Sequence, residues 1–532
     1  MKPTLLASAL SLSLGLAFIG NAQAAFSVTQ TGHFTETCSD TEEGGCTEIS
    51  DYSKTAQRLY VTNATDNKLR ILSLDEAGIL SPMSEESGVP SEVDLAPYGG
   101  GPNSVAVYGQ WVAVALEADD KQDNGHVVVF DLDGNHQRSI EVGALPDMLT
   151  FTPDGRYLLV ANEGEPNDDY TRDPEGSISV IDTHNNWRVR TAGFHFNNDA
   201  NKGVENGTDP SQQGRGKGKA KGADQLTGEV RVFGPGASVA QDMEPEYIAV
   251  SPDSTTAWVS LQENNALAIL DIEKAEVTDV VGLGYKDHMR PGNTLDASNE
   301  DDGINMQNWP VLGMYQPDAI ASLEVNGELY ILSANEGDSR DYDGYSEEER
   351  VKDLTLDETA FAGFDIAELQ KKKNLGRLKV TTSQGDDDGD GDFDTLYAYG
   401  ARSFSVWNSK AEQVWDSGNQ FETMLADYAG QGFDVWEDGR SDDKGPEPES
   451  VVVGMLNGKP YAFIGLERTS GIFVYDMANP KAPKAAGFMD IEEMGDVAPE
   501  GLKFIPNGDS GWLVVTSEVS STVSVYSVSV SE

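Results

Sequence analysis

One pattern of residues recurs seven times along the chain, and this repetition constrains the fold more than any other feature. Each copy begins with a short apolar strand behind a proline–acid pair or a similar pair. A turn leads into a second strand that ends in a polar residue, and a third strand ends near an aspartate. The copies begin at Thr47, Pro102, Pro146, Pro245, Pro317, Pro448 and Pro499. A further, partial unit begins at Thr395 and lacks the proline–acid pair.

Alternating apolar residues, β-branched residues and turn signals such as "PDG" and "NG" predict that each copy is a meander of short antiparallel strands. Repeated meanders with no comparable helical pattern between them favour a β-propeller over a sandwich. We therefore expect an all-β chain that folds as one propeller domain over residues 25–532. Seven blades are favoured. Eight blades are the alternative, if the unit at Thr395 forms its own blade instead of completing the fifth.

Two stretches interrupt the repeats. Residues 197–225 are rich in Gly, Lys and Asn and include "GRGKGKAKG", which predicts a flexible surface loop. Residues 341–373 contain the helical patterns "SEEERVKDL" and "FDIAELQKKK". These patterns predict a helical insertion over one face of the propeller.

The N-terminus predicts export from the cytoplasm. A short charged region, an apolar stretch and "NAQAA" follow one another in the order of a secretory signal peptide, so residues 1–24 are expected to be removed by cleavage near Ala24. Cys38 and Cys46 are the two cysteines of the chain, and in an oxidising compartment they are expected to form a disulfide. The predicted location is the periplasm or the exterior, with no transmembrane span in the mature chain.

The charge balance is strongly acidic. The chain has 90 acidic and 37 basic residues, which gives a formal net charge of −53. Such a surface repels nucleic acid and anionic membranes and attracts cations. Solubility in salty surroundings explains a surface of this kind, and binding of divalent metal is the alternative with functional consequences.

Each copy carries one polar residue just before its first strand and another just after its second. These two strands form an antiparallel hairpin, so the start of one lies beside the end of the other and both polar residues share one edge. Around a propeller, these edges would form a ring at the mouth of the central channel. The pairs are Glu48 with Asn63, Asn103 with Glu117, Asp147 with Glu163, Glu246 with Glu263, Asp318 with Glu336, Glu449 with Glu467, and Glu500 with Glu518.

Crowded carboxylates raise each other's pKa, and a bound cation relieves their repulsion. Ca²⁺ prefers oxygen ligands, so the ring predicts a calcium site at the channel mouth. The alternative is that each acid accepts hydrogen bonds from turn amides of its own or a neighbouring blade. The candidate metal ligands here are Glu163, Glu263, Asp318, Glu336, Asp338, Glu449, Glu467, Glu500 and Glu518.

A second calcium-type signal, "DDDGDGDFD", lies outside the repeats. Its alternating aspartates are followed by Gly at the tight-turn position and by Phe at the apolar position of an EF-hand loop. Tyr397 stands where such a loop places its bidentate glutamate, so the motif is EF-hand-like and incomplete. A solvated acidic turn is the alternative. The candidate ligands are Asp386, Asp388, Asp390, Asp392 and Asp394.

Catalytic signals are sparse. The sequence contains no Gly-x-Ser-x-Gly elbow, His-Glu-x-x-His motif or Gly-rich phosphate loop. His288 is a candidate general acid or base, with a plain loop histidine as the alternative. Arginines beside the ring could hold a phosphate or carboxylate next to a bound metal, or form salt bridges within the acidic surface. These candidates are Arg340, Arg402, Arg440 and Arg468.

Several long motifs resemble one known family. "EPEYIAVS", "ANEGDSRDYDGYSEEER", "GDGDFDTLYAYGARSFSVW", "RSDDKGPEPESVVVG" and "YAFIGLERTSGIFVYD" resemble the choice-of-anchor I family, and the likeness covers almost all of the mature chain. That family includes mesenchyme-specific cell-surface glycoproteins associated with biomineralisation. The resemblance implies a secreted propeller related in style to phytase-like and lactonase-like propellers. Some relatives are labelled alkaline phosphatases, but the resemblance supplies no catalytic residues to carry over.

The sequence therefore predicts a secreted, calcium-binding β-propeller used for ligand or surface interaction. The alternatives are a calcium-dependent phosphoesterase, similar to alkaline phosphatase or phytase, and a lactonase-type hydrolase acting at the channel mouth. Whether the protein is an enzyme is left open. The expected cofactor is Ca²⁺, and the expected partners are a small anionic ligand or a cell-surface or extracellular component, not nucleic acid.

Overall fold

A computed structural model describes residues 26–39, 45–195 and 226–531. Strands dominate these residues, which confirms the predicted all-β class. The predicted signal peptide, residues 1–24, and the predicted basic loop, residues 197–225, lie outside the described residues.

In the described residues, seven sheets of at least four strands form the body of the protein, and we call each sheet a blade; all their strand pairs are antiparallel except that of the short edge strand Leu226–Thr227. Each of the seven sequence repeats supplies the innermost strand of one blade. The strands are, in blade 1, Thr47–Ser53, Arg58–Asn63, Lys68–Leu74, Leu80–Pro82 and Glu92–Asp94; in blade 2, Pro102–Tyr108, Trp111–Leu116, Asn124–Asp131 and His136–Ala144; in blade 3, Pro146–Phe151, Tyr157–Asn162, Ser177–Asp182 and Arg188–Gly193; in blade 4, Pro245–Val250, Thr256–Leu261, Ala266–Asp271, Glu276–Gly282 and Leu226–Thr227; in blade 5, Ile320–Val325, Glu328–Asn335, Ser403–Asn408 and Gln413–Asp416; in blade 6, Pro448–Leu456, Lys459–Leu466, Gly471–Asp476 and Lys484–Asp490; and in blade 7, Pro499–Asn507, Ser510–Ser517, Thr522–Val530 and Phe26–Thr35.

The blades form a closed ring. The innermost strands contact one another in the order of the blades, and the innermost strand of blade 7 contacts that of blade 1. The ring is closed by the N-terminal strand Phe26–Thr35, which pairs antiparallel with the C-terminal strand Thr522–Val530 in blade 7. The partial unit at Thr395 supplies the outer two strands of blade 5 and not a further sheet of its own. This architecture is the predicted β-propeller, with its strand edges paired around the circle.

The hydrophobic core lies between the blades. Alternate residues of each strand point to opposite faces of its sheet, so every blade presents apolar side chains to both neighbours. Between blades 3 and 4, for example, Leu159, Val180, Val259 and Leu270 are fully buried in one cluster. Burial of each side chain of this size contributes about 1.5–3 kcal/mol, and the interfaces between blades therefore hold the ring together.

The predicted helical insertion at residues 341–373 is largely wrong. Residues Glu348–Arg350 form a strand that pairs with Lys379–Thr381, and an α-helix of one turn covers only Ile366–Leu369. The apolar residues of this insertion are buried in a small separate core that includes Leu356 and Phe361. Burying these scattered side chains decides the local conformation, because helix propensity is weak by comparison.

A helix that the sequence reading missed, Gln420–Gly430, lies between blades 5 and 6. It buries Phe421, Leu425 and Tyr428 against both blades, with the Phe421 ring stacked on Phe473 at 4.9 Å. The other helices are Val239–Asp242 and the 3-10 turns Glu85–Ser87, Val351–Asp353, Leu375–Arg377, Asp438–Arg440 and Glu492–Met494; the other strands are Tyr285–Asp287, Leu312–Met314, Asp341–Tyr342, Tyr345–Ser346 and Tyr397–Ala398. Among the described residues, no helix has the length and apolar character needed to cross a membrane.

The predicted disulfide between Cys38 and Cys46 is present. Cys38 lies just after the strand that closes blade 7, and Cys46 lies just before the first strand of blade 1. The Cys38 Sγ atom lies 3.1 Å from Oγ of Ser521, in the turn between the last two strands of the chain. The disulfide therefore joins the closing strand to the start of the ring.

Candidate functional site: a carboxylate ring at the channel mouth

The predicted polar pairs lie at one edge of the blades. In blade 3 the strand start Pro146 is paired with the strand end Asn162, and in blade 6 Pro448 is paired with Leu466. Each pair member is the next residue along its strand, so both members lie at the same end of the blade. We call this set of fourteen side chains the carboxylate ring, because twelve of them are acidic.

A structural detail that the sequence did not reveal aims these side chains. In six blades the ladder between the first two strands is interrupted by a β-bulge directly after the starting residue. A bulge bends the strand and re-aims the side chain that it carries. In these six blades the first acid or amide of the pair lies in the bulge, as Asp147 does between Pro146 and Leu149.

The ring surrounds a cavity of about 310 Å³ at the mouth of the central channel. Residues from all seven blades line this cavity, among them Glu48, Asp147, Glu163, Asp318 and Glu500. The side chains below them are less polar and include those of Met148, Tyr247 and Leu502. The predicted arrangement of the repeats around one opening is therefore what the structure shows.

Carboxylate oxygens approach one another closely at three places in the ring. Each place brings oxygen atoms of three acids within 4.8 Å of one another. The sets are Glu163, Glu246 and Glu263 between blades 3 and 4; Asp318, Glu336 and Glu449 between blades 5 and 6; and Glu336, Glu447 and Glu467 beside the second set. Glu447, in the loop before blade 6, was missed in the sequence reading because it precedes the proline of the repeat.

Burial and mutual repulsion disfavour the ionised forms of these acids. Burial, together with repulsion from Asp338, raises the pKa of Glu263 to about 8. Burial is also the first cause of the raised pKa of Glu500, which reaches about 8, and of Asp147, which reaches about 7. The ring thus concentrates carboxyl groups that a bound cation would help to ionise.

Some ring oxygens have no hydrogen-bond partner among the described residues. Oε2 of Glu246, Oε2 of Glu263 and Oε2 of Glu449 are buried and unpaired. Glu263 is only 5% exposed. Unpaired buried carboxylate oxygens are costly, and clustered carboxylate oxygens match the oxygen-only ligand set that Ca²⁺ prefers. The residues present therefore fit the calcium ion that the sequence predicts.

Side-chain cations occupy the part of the ring near blade 6. The Lys444 Nζ atom lies 2.8 Å from Oε1 of Glu336 and 3.6 Å from Oε2 of Glu447. Arg468 lies 2.9 Å from Glu467 and 3.2 Å from Glu447, and Arg440 lies 2.7 Å from Glu447. Lys444 was not among the predicted residues, although its loop, "RSDDKGPEPE", was recognised as charged.

Two predicted anion-binding arginines are already paired within the protein. Arg340 is 1% exposed, forms ion pairs with Asp242 and Glu244, and packs over the Phe233 ring at 4.4 Å. Arg402 is 3% exposed and donates to Glu422 at 2.9 Å and to three backbone carbonyl oxygens. Arg468 differs, because 38% of its side chain is exposed beside the ring.

His288, the candidate acid or base, is not brought to the ring by any described contact. The residue is 2% exposed, and its Nδ1 atom lies 2.8 Å from the backbone oxygen of Asn293. Burial and the nearby Lys286 ammonium lower the pKa of His288 well below its usual value. These contacts describe a neutral structural histidine, which is the alternative given by the sequence.

In the EF-hand-like loop, the Asp386 carboxylate accepts hydrogen bonds from the backbone of the same loop. Oδ1 of Asp386 accepts the backbone N–H of Gly389 at 2.7 Å, and Oδ2 accepts that of Gly391 at 3.1 Å. Asp392 and Asp394 bring oxygens within 4.8 Å of a third carboxylate, Asp357, which comes from the insertion. Asp357 lies far from the motif in sequence, and no pattern in the sequence links the two.

Two similar segments, "VANEGEPNDDY" at the end of the second strand of blade 3 and "SANEGDSRDYDGY" at the end of the second strand of blade 5, contact each other. The Tyr342 hydroxyl lies 3.0 Å from Oε1 of Glu165, and the Gly344 N–H donates to the Asp168 carbonyl at 2.7 Å. The rings of Tyr170 and Tyr342 are 5.8 Å apart. Burial, followed by the field of nearby carboxylates that include Glu163 and Glu263, raises the pKa of Tyr342. We call residues 338–346 the tyrosine hairpin; it contacts the lining of the cavity at Glu165.

The comparison with protein families identifies the chain. A family model of the choice-of-anchor I domain matches residues 48–480, which include the innermost strands of blades 1 to 6. The chain belongs to the choice-of-anchor I family. The family model therefore confirms the resemblance found in the sequence.

Two curated relatives match parts of the chain. The choice-of-anchor I chain is 36% identical to Gigasin-3a of Magallana gigas over 121 residues, which is 21% of this chain and 42% of that protein. It is 25% identical to the mesenchyme-specific cell surface glycoprotein of Strongylocentrotus purpuratus over 341 residues, which is 57% of this chain and 42% of that protein. The chain thus spans less than half the length of the curated relatives it matches.

Solved structures with a similar outline share little sequence with the choice-of-anchor I chain. Kuenenia stuttgartiensis hydrazine synthase gives a TM-score of 0.45 at 11% identity, with 92% of this chain and 98% of that chain covered. The β-propeller domain of Cps50 (Swd1) from Myceliophteria thermophila gives a TM-score of 0.41 at 8% identity, with 92% and 99% covered. The propeller assignment rests on the strand topology given above.

Proposed function

We propose that this choice-of-anchor I protein is a calcium-binding propeller that acts outside the cytoplasm. Ca²⁺ bound in the carboxylate ring would present open coordination positions to a ligand or surface at the channel mouth. The observation that carries the proposal is the set of buried, unpaired carboxylate oxygens of Glu246, Glu263 and Glu449. A cation bound to the neighbouring oxygens of Glu246 and Glu263 would offset the cost of burying them unpaired.

The exposed loop of residues 386–394 supports a second, structural calcium site. Its candidate ligands are the predicted aspartates together with Asp357, whose oxygen lies within 4.8 Å of those of Asp392 and Asp394. Asp357 would supply the carboxylate that Tyr397 cannot. A cation here would join the insertion to the loop and stabilise both.

Hydrolysis at the mouth is the second candidate function. The exposed part of the Arg468 side chain favours it, since a guanidinium beside a bound metal can hold a phosphate or carboxylate. The internal pairing of Arg340 and Arg402 and the burial of His288 favour binding over catalysis. We therefore place ligand or surface binding first and a calcium-dependent phosphoesterase or lactonase-type hydrolase second.

The proposed location is the periplasm or the exterior, after removal of residues 1–24. The name of the Strongylocentrotus purpuratus relative describes a cell surface protein, and the internal disulfide suits an oxidising compartment. The proposed partner is accordingly a small anionic ligand or a cell-surface component that binds through the metal.

One experiment separates these functions. The mature chain, residues 25–532, is purified and dialysed against Ca²⁺, and its bound metal is measured by mass spectrometry. Hydrolysis of p-nitrophenyl phosphate and of a simple lactone is measured with Ca²⁺ and with EGTA. Bound calcium without turnover supports the binding function, and calcium-dependent turnover of either substrate supports the hydrolase. A protein that retains no calcium and has the same melting temperature in EGTA contradicts both.

A further inference from the structure

We propose that the ring holds its cation at one place, between blades 3 and 4, where Glu163, Glu246 and Glu263 form a divalent-cation site beneath the tyrosine hairpin. This inference rests on the proposed calcium binding and specifies where in the ring it occurs.

The three acids come from two neighbouring blades and point to one space. Their oxygen atoms lie within 4.8 Å of one another. Glu263 is only 5% exposed, and its Oε2 atom has no hydrogen-bond partner among the described residues. Oε2 of Glu246 is unpaired as well. Two unpaired carboxylate oxygens in one buried cluster are the ligands that an oxygen-coordinated cation would satisfy.

Nearby basic side chains are committed to other partners. The Arg340 guanidinium is held by Asp242 and Glu244. Arg231 donates to the backbone oxygen of Glu263 and forms its ion pair with Glu347. Lys121 lies 3.4 Å from Glu117, and 57% of its side chain is exposed. Among the described ion pairs, none involves a side chain of the cluster itself.

The opposite part of the ring differs in this respect. There, Lys444 lies between Glu336 and Glu447, and two arginines contact Glu447 or Glu467. Glu447 is fully buried and is bonded from three sides by these cations. Internal ammonium and guanidinium groups already supply the positive charge that a metal would bring. A second divalent ion at Glu336, Glu447 and Glu467 would have to displace Lys444.

The ligand set favours a hard cation. Three carboxylates with no nitrogen or sulfur donor select Ca²⁺, Mg²⁺ or Mn²⁺ over zinc or copper, and an irregular, flexible set suits calcium best. The tyrosine hairpin contacts the loop that follows Glu163, through the hydrogen bond from the Tyr342 hydroxyl to Glu165. The bound cation would therefore exchange slowly with the solvent.

The test compares Ca²⁺ affinity among isosteric variants by isothermal titration. Every protein in the series carries Asp386→Asn and Asp390→Asn, so that the exposed loop does not contribute to the signal. Glu246→Gln and Glu263→Gln are each expected to weaken Ca²⁺ binding at least about tenfold, as the loss of a ligand does. Glu467→Gln, in the part of the ring with its own cations, should change the affinity less than about threefold. Glu324→Gln, an exposed acid at the far end of the blade 5 innermost strand, is the matched control.

The outcomes separate this inference from the proposed function. Equal weakening by Glu467→Gln and Glu263→Gln, or no weakening by Glu246→Gln and Glu263→Gln, overturns the location between blades 3 and 4. If the two loop substitutions alone abolish calcium binding, the location between blades 3 and 4 is also wrong, although the site in the loop is supported. A protein with an intact loop that binds no calcium at all refutes the proposed function. Melting temperatures in EGTA verify that each variant is folded.

Measuring the release rate of the bound ion tests whether the tyrosine hairpin slows ion exchange, without changing any of the ligands. Tb³⁺ is bound in place of Ca²⁺, and its release into excess chelator is followed by its luminescence. Tyr342→Phe removes the bond to Glu165 and is expected to raise the release rate at least about threefold. Tyr345→Phe, in the same hairpin, is the matched control and should leave the rate nearly unchanged. Equal rates for Tyr342→Phe and the parent protein contradict a site beneath the hairpin.

Discussion

The metal-free protein should lose stability as the pH rises from about 5 to 8, and Ca²⁺ should cancel much of this loss. The reasoning starts from Glu263, whose pKa rises from 4.5 to about 8 in the folded protein because of burial and repulsion from Asp338. Between these values the folded state binds a proton that the unfolded state has released. The free energy of unfolding then falls with pH, by about 1.4 kcal/mol per pH unit for one such group.

The magnitude follows from the width of this window. A carboxyl whose pKa is raised by three to four units contributes about 4–5 kcal/mol that is present below pH 4.5 and absent above pH 8. Ca²⁺ binds the ionised form, so saturating calcium should flatten the dependence or reverse it. Glu263→Gln removes the titrating group, and its metal-free stability should fall less steeply than that of the parent protein.

The assay is urea unfolding of the mature chain at pH 5, 6, 7 and 8, in EGTA and in millimolar Ca²⁺. The parent protein and Glu263→Gln are compared at each pH, which separates the effect of Glu263 from the general repulsion of a highly charged surface. Equal slopes for the two proteins in EGTA would refute the reasoning. So would a metal-free stability that increases between pH 5 and 8.

Three further predictions concern other parts of the molecule. Lys444→Met leaves Glu336 without its buried ion pair and should lower the free energy of unfolding by about 3–5 kcal/mol in EGTA, measured by urea unfolding; an unchanged stability would show that this lysine does not neutralise the ring. Cys38→Ser opens the disulfide that joins the closing strand to blade 1 and should cost about 2–3 kcal/mol, seen as a lower melting temperature than that of the oxidised parent. Arg402→Ala leaves Glu422 buried without its cation and should destabilise the protein by about 3–5 kcal/mol without changing Ca²⁺ affinity; a selective loss of calcium or phosphate binding would contradict the structural role given to Arg402.

The repeats made most of the fold predictable. The alternation of apolar residues and the turn signals are local properties, and each repeat contains a complete hairpin. For the same reason the shared edge of Glu163 and Asp147 could be derived from strand direction alone. The insertion at residues 341–373 could not, because its conformation depends on burial against segments that are distant in sequence, such as the strand at Lys379–Thr381.

The chemistry of the site was less predictable than its position. Sequence order does not show that Lys444 reaches Glu336, that Asp357 approaches Asp392, or that Tyr342 covers Glu165. These contacts join separate blades or loops. The bulges that re-aim the ring residues also left no recognisable pattern, since a bulge adds one residue without requiring a particular type. The charge of Arg402 suggested an anion-binding residue beside the ring, whereas its side chain is buried and donates hydrogen bonds to backbone oxygens.

The most direct test of the account is a crystal structure of the mature chain grown with Tb³⁺ or Ca²⁺, with the ion located by anomalous scattering. The account predicts an ion at about 2.3–2.6 Å from carboxylate oxygens of Glu163, Glu246 and Glu263. A well-ordered crystal with no ion near any carboxylate of the ring would contradict it.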